Sequence, residues 1–192
     1  MTTEKLKATD TVTSGLTCNT KASEEAKATG LFEIKCHDKD GNLKWEAQSK
    51  NLVVNVGLKY MAGTALTSVT QITAWCLGLY GAASSNNPAA ADTMSSHAGW
   101  TEVTAYSNAN RVAATFVTAT TANPSVVTNT ASPATFNING TTTVGGAFLT
   151  SGSAKSGTVG TLFSAADFGS PGDRSVVNSD TLSVTYTFSL AG

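Results

Sequence analysis

Charge is scarce in this sequence. Asp, Glu, Lys and Arg make up 13% of its 192 residues and the formal net charge is -1, about half the charged share usual in a globular domain. With two arginines in the chain, nothing resembles the basic footprint of a nucleic-acid-binding surface, so no nucleic-acid partner is expected. Long hydrophobic runs are also missing. The longest, such as 72–80, is too short to cross a bilayer as a helix, so no membrane partner is expected. Residues 1–10 contain no apolar core of a secretory signal, and folding in the cytosol of the producing cell is the expectation. Cys18, Cys36 and Cys76 are odd in number and far apart, which excludes both a disulfide framework and a paired-cysteine zinc site and leaves free thiols. Four prolines exclude a collagenous or proline-rich chain.

What fills the sequence is Thr, Ala and Ser, with 31, 27 and 20 copies, together with 17 Gly. Such a chain reads as β-rich and structural. The charges it does have are segregated. Residues 1–50 hold 16 of the 25, leaving 9 for the other 142. Within residues 1–30 the large apolar side chains are Leu6, Val12 and Leu16, too few to build a core. The expected organisation is an extended N-terminal arm over 1–30, which needs another surface to lie on, and a domain over 31–192.

Phe32, Ile34 and Cys36 alternate with Glu33, Lys35 and His37, and Leu43 and Trp45 alternate with Lys44 and Glu46 across Asp40-Gly41. Alternation of period two on both sides of such a turn predicts a β-hairpin. The run 38–42 superficially resembles a calcium loop, but its glycine falls too early and no glutamate closes it. Residues 51–54 should complete the hairpin's sheet, and Asn55 should cap a short helix through Ala62. The apolar run 72–80 reads as a strand covered on both faces. Residues 81–100 form the longest irregular stretch, with one possible helical turn at 89–91 capped by Asp92. Further strands are expected at 112–118, 134–139, 142–150, 158–164 and 181–190. The fold class is therefore mainly β, an antiparallel β-sandwich or jelly roll of about eight strands with one short helix.

Catalytic equipment is thin. His37 belongs on a solvated strand face, and His97 lies in the long loop without a nucleophile elbow beside it. The acids beyond the charged first part are Asp92, Glu102, Asp167, Asp173 and Asp180. Of these, Asp167, Asp173 and Asp180 fit turn chemistry, and only Asp92 and Glu102 are left as candidate glycosidase acids. Gly145-Gly146, with no lysine or helix after it, reads as a bulge or a close backbone approach rather than a phosphate loop. No cofactor, metal or enzymatic activity is expected. Trp45 and Trp75 read as core. Trp100 in the long loop is a candidate interface anchor or sugar platform, with core packing as the equal alternative. Arg111 and Arg174, isolated in a nearly neutral region, are candidates for specific salt bridges or intersubunit contacts. With Leu6, Val12 and Leu16 of the arm, these three residues make up the expected interface set.

Six segments resemble small virion structural proteins of tailed bacteriophages. They are Asp38-Lys39-Asp40-Gly41-Asn42-Leu43-Lys44-Trp45-Glu46, Asn51-Leu52-Val53-Val54-Asn55-Val56-Gly57, Ala74-Trp75-Cys76-Leu77-Gly78-Leu79, the run 91–102 from Asp92 through His97 and Trp100, Gly145-Gly146-Ala147-Phe148-Leu149, and Asp180-Thr181-Leu182-Ser183-Val184-Thr185-Tyr186. The resemblance implies a protein made in the bacterial cytoplasm and carried on the virion. The expected function is a capsid decoration, or cement, protein on the exterior of the major capsid protein shell, bridging capsomers as a homotrimer. The alternative is a tail- or fibre-associated protein that binds a bacterial surface glycan.

Overall fold

In a computed structural model, residues 26–81, 88–168 and 172–192 are described. The strands and the helix, in chain order, are β1 (Lys27–His37), β2 (Leu43–Lys50), β3 (Leu52–Val53), α1 (Asn55–Leu66), β4 (Trp75–Tyr80), β5 (Glu102–Val103), β6 (Val112–Ala114), β7 (Ser125–Thr128), β8 (Ala134–Asn137), β9 (Thr142–Val144), β10 (Gly146–Thr150), β11 (Leu162–Asp167), β12 (Arg174–Val176) and β13 (Thr181–Ala191). One sheet runs β2-β1-β13-β7, with β8 also on β13. The other runs β3-β11-β10-β4-β5, with β6 also on β4, and β12 and β9 form a separate ribbon. All pairings are antiparallel. The expected sandwich is the observed architecture, with more and shorter strands than the sequence suggested.

The hairpin forms as expected because its turn supplies its own donors and acceptors. The Asp38 carboxylate accepts the backbone N–H groups of Asp40 and Asn42, each at 2.9 Å, and these bonds hold it below the usual carboxylate range. Gly41 adopts φ of 85°, which a side chain would disfavour. Beyond the hairpin, β1 pairs with β13 over eleven residues, from Lys27↔Ala191 to His37↔Thr181. The strand thus starts at Lys27, inside the segment expected to be arm, and the boundary moves back accordingly.

Several expectations are corrected. Residues 52–53 join the opposite sheet, on β11, because Val53 turns into the core there. The cap of α1 is Val54 with no side-chain hydrogen bond, Asn55 being the first helical residue. Residues 89–91 form a turn, in which Asp92 N–H bonds the Ala89 carbonyl at 3.0 Å, rather than a helical turn. The run 142–150 is broken at Gly145 and divides between the ribbon and the second sheet. Strands expected at 72–80, 112–118, 134–139 and 158–164 are Trp75–Tyr80, Val112–Ala114, Ala134–Asn137 and Leu162–Asp167.

The principal core lies between the sheets, with Phe32, Ile34, Phe136, Leu182 and Tyr186 facing Leu77, Leu79, Leu149 and Phe163. The second sheet is buried on its other face too. There Tyr80, Phe148, Leu162 and Ala165 pack under Val54, Met94 and Trp100. The long loop is therefore a third layer, and β4 and β10 read as continuous apolar runs because both of their faces are covered. Glycines make this packing possible. A Cβ at Gly78 would stand 2.2 Å from the Phe148 ring, and one at Gly146 would meet the Ala166 carbonyl oxygen at 2.2 Å. Close approach, one of the two readings offered for Gly145-Gly146, is what occurs at Gly146.

Asn129 settles a further problem of the first sheet. Its Oδ1 accepts Tyr186 N–H at 2.6 Å and its Nδ2 donates to the Val184 carbonyl at 3.2 Å. It thus fills the gap on β13 between the stretch paired to β8 and the stretch paired to β7.

Gly78→Ala is expected to destabilise the fold by about 3 kcal/mol through overpacking. Combining it with Phe148→Leu should recover part of the loss, a coupling that urea denaturation of the two single variants and the double variant would measure.

Candidate functional site

An apolar groove lies at the end of the sandwich where β1 starts. It has a volume of about 530 Å³ and is walled by Tyr60 and Met61 of α1, Trp75, Phe116, Phe163 and Phe188. The helix reaches over the sheets here, and the return of the chain is fixed by Ile72 N–H donating to the Tyr60 hydroxyl at 2.7 Å. Trp75 makes edge contacts with both Tyr60 and Phe163, each at 5.5 Å between ring centroids. At the floor, the buried Tyr186 hydroxyl accepts from Asn51 Nδ2 at 2.7 Å and lies 3.2 Å from Ser164 Oγ. Burial drives the Tyr186 pKa upward, so this hydroxyl stays neutral. The walls carry no charged side chain, and the groove can hold an apolar occupant but has no group to act on one.

The residues singled out in the sequence fall elsewhere. Trp100 is turned inward, 3% exposed, with its indole N–H donated to Asp92 at 3.0 Å and its ring against Tyr80 and Phe148. His97 stacks on it at 3.9 Å, its Nδ1 3.0 Å from the Trp100 carbonyl oxygen. Of the two readings open for Trp100, burial favours core packing over an interface or sugar platform, because an acceptor eight residues upstream allows the indole to be buried. Arg111 is likewise interior. Its Nε and Nη2 grip Glu102 at 2.9 and 2.7 Å, and its remaining donors reach the carbonyls of Gly152 and Gly157. The expected salt bridge is present, but within the subunit, and it pins the 151–160 loop to the sheet. Arg174 is half-buried and bonds the Gly172 carbonyl. Leu6, Val12 and Leu16 lie outside the described residues.

The two acids nominated for glycosidase chemistry are both engaged as structural acceptors. Asp92 receives Ala89 N–H and the Trp100 indole. Glu102 receives Arg111 and Ser156 N–H. Asp180 is also buried, accepting Val177 N–H at 2.9 Å and pairing with Lys44 at 2.5 Å. That pairing raises the Lys44 pKa. No local pattern pointed to the groove itself, whose walls come from segments far apart in the chain.

No family model, curated protein or solved structure matches this chain.

Two outcomes test the electrostatics. Arg111→Met should cost about 3–5 kcal/mol, because Glu102 is left buried and unpaired; adding Glu102→Leu should restore most of it in urea denaturation. The second concerns alkaline pH. Burial first, and then the neighbouring Asp180 carboxylate, raise the Cys36 thiol from 9.0 to about 11. A group whose folded pKa is raised stabilises fully below its unfolded pKa and loses that contribution as pH climbs through the folded one, at up to about 1.4 kcal/mol per pH unit. Burial raises Tyr80, Tyr106 and Tyr186 in the same direction. The urea midpoint should therefore begin to fall above pH 9.0, and Cys36→Ala should flatten the first part of that fall.

Proposed function

We propose that this chain is a decoration protein of a tailed-phage capsid, binding the outer face of the major capsid protein shell and bridging its capsomers. The observation that carries the reading is the outward face of the first sheet. On the central strand β13 that face presents Thr181, Ser183, Thr185, Thr187 and Ser189, all half-buried hydroxyl residues. Beside them β7 contributes Thr128, whose hydroxyl meets that of Thr187 at 2.9 Å. This row of methyls and hydroxyls can be covered by another protein with few ions to desolvate, and the charges of the face, Glu33 and Lys35 on β1 and Glu46 and Lys50 on β2, stand beside it where a partner can pair with them. The virion resemblance of residues 31–190 supplies the kind of partner. A protein that binds only the assembled shell stabilises that state by mass action, without chemistry. The glycan-binding alternative loses its main support with the burial of Trp100.

In purified virions, quantitative mass spectrometry should find a copy number that scales with the capsid lattice; a number matching the few symmetry positions of a tail would refute the reading. Ser183→Arg and Ser189→Arg should leave the fold intact and weaken binding to capsids about tenfold or more in sedimentation, equivalent to about 1.4 kcal/mol. Unchanged occupancy by both variants would remove the face from the mechanism.

A further inference from the structure

Asn139-Gly140 is the one Asn-Gly pair of the chain, and in such a pair no Cβ obstructs the approach of the glycine nitrogen to the side-chain amide before it. It lies between β8 and β9, just past a firmly held position. Ile138 donates its N–H to the Asp180 carbonyl and accepts Ser179 N–H, both at 2.9 Å, and Asn139 N–H reaches the Ala105 carbonyl at 3.2 Å. There the bonding stops. Asn139 is exposed, and among the described residues its carboxamide has no hydrogen-bond partner and Gly140 N–H meets no acceptor. A Cβ at Gly140 would touch only the Ala105 methyl, at 3.7 Å, so the space beside this residue is open.

Two comparable pairs are restrained where this one is not. Asp40-Gly41 has the same glycine, but Gly41 N–H donates to the Asp38 carbonyl at 3.0 Å and the Asp40 carboxylate faces Lys39 Nζ at 2.8 Å. An ionised carboxylate is moreover a poor electrophile. Asn178-Ser179 has the side-chain amide, but Ser179 N–H is the donor that holds the Ile138 carbonyl. In both pairs the attacking nitrogen is engaged and its stretch of backbone fixed. At Gly140 it is left to water.

We propose that Asn139 is a site of spontaneous covalent modification, converting to aspartate and isoaspartate through a cyclic imide formed with Gly140. The Gly140 nitrogen gives its proton to solvent base and bonds Asn139 Cγ, while the Cγ–Nδ2 bond breaks and Nδ2 takes up a proton to leave as ammonia. Water then opens the imide. Addition at Cγ restores the original main chain and leaves aspartate; addition at the main-chain carbonyl leaves isoaspartate. One carboxylate has replaced one neutral amide, so the formal net charge goes from -1 to -2. Isoaspartate also adds a methylene to the main chain, and with Ile138 pinned ahead and β9 paired to β12 behind, Gly140 and Thr141 take up the extra length. The fold is kept, and older molecules carry a more negative turn. None of this rests on the capsid reading.

The test stores the full chain in mildly alkaline buffer and follows the peptides around 40, 139 and 178 by mass spectrometry over time, beside synthetic peptides of the same sequences. Asn139 should lose its amide within a few-fold of the rate of its free peptide, with isoaspartate as the larger product and a matching acidic species on ion exchange. Asp40 and Asn178 should change many-fold more slowly than theirs. A folded chain that keeps the Asn139 amide many-fold longer than the peptide does, or that converts another described asparagine first, overturns the proposal. Independently, Gly140→Ala should retain the circular dichroism of the wild type, since its Cβ makes an ordinary contact, and should slow the conversion several-fold. An unchanged rate in the folded variant also overturns the proposal. If that variant does not fold, the comparison of chain with peptide alone decides. Neither experiment involves capsids, so failure here leaves the proposed function standing, and failure there leaves this inference standing.

Discussion

The irregular parts of this protein depend on carboxylates sunk in the interior and surrounded by donors. Asp92 ties the Ala89 turn to the Trp100 indole and thereby lays the long loop over the second sheet. Glu102, gripped by Arg111, fastens the 151–160 loop. Asp180 closes the turn before β13 and reaches across to Lys44 on β2. A buried carboxylate is expensive unless several donors meet it. Each of these sites therefore works only when two or more segments of chain are correctly placed at once, and this coupling gives loops of small polar residues a definite course. The scarcity of charge noted in the sequence is accordingly a matter of placement, since Asp92, Glu102, Arg111 and Asp180, four of the few ions beyond residue 50, are used as fasteners.

The same logic accounts for the second sheet. With one face against the first sheet and the other under the loop, it has no solvated side, and its strands approach closely where glycine replaces a side chain. Gly78 admits the Phe148 ring, and the guanidinium of Arg111 lies 5.3 Å from the centre of that ring. Glycine, aromatic and ion pair are thus stacked in sequence, and a disturbance of one is felt by the others. The first sheet is different. Its outer face carries hydroxyls on β13 and the charges of Glu33, Lys35, Glu46 and Lys50 on β1 and β2. The two sheets thus differ, one covered on both faces and one presenting a face outward.

What could be read from the sequence follows from which elements carry a local signal. The strands β1, β2 and β13 alternate cleanly because each has one buried face, and β4 is apolar throughout because it has two. The break at Gly145 was hidden, since its flanking residues are apolar in both strands and the division depends on which sheet each backbone joins. Trp100 looked free because the bond that buries its polar end comes from a loop residue whose role is set by tertiary packing. Asn129 gave no signal at all. An asparagine in a Thr- and Ser-rich stretch looks like a turn residue, and only the gap on β13 makes it a substitute for a strand. Of the interface set, the salt-bridging capacity of Arg111 was legible from its isolation, but the direction in which it points was not.

The ladder between β1 and β13 has a consequence for biosynthesis. Its partners are 144 to 164 positions apart, and β13 is the central strand of its sheet, flanked by β1 on one side and by β7 and β8 on the other. At synthesis rates of about 5–20 residues per second, β1 leaves the ribosome roughly 10–30 s before the strand it must pair with exists. Until then the nascent chain has a first hairpin with an open edge and no sheet to close against. The segment that joins the others is made after all of them, so the first sheet closes only once β13 has emerged, and the earlier strands are exposed to mispairing until then.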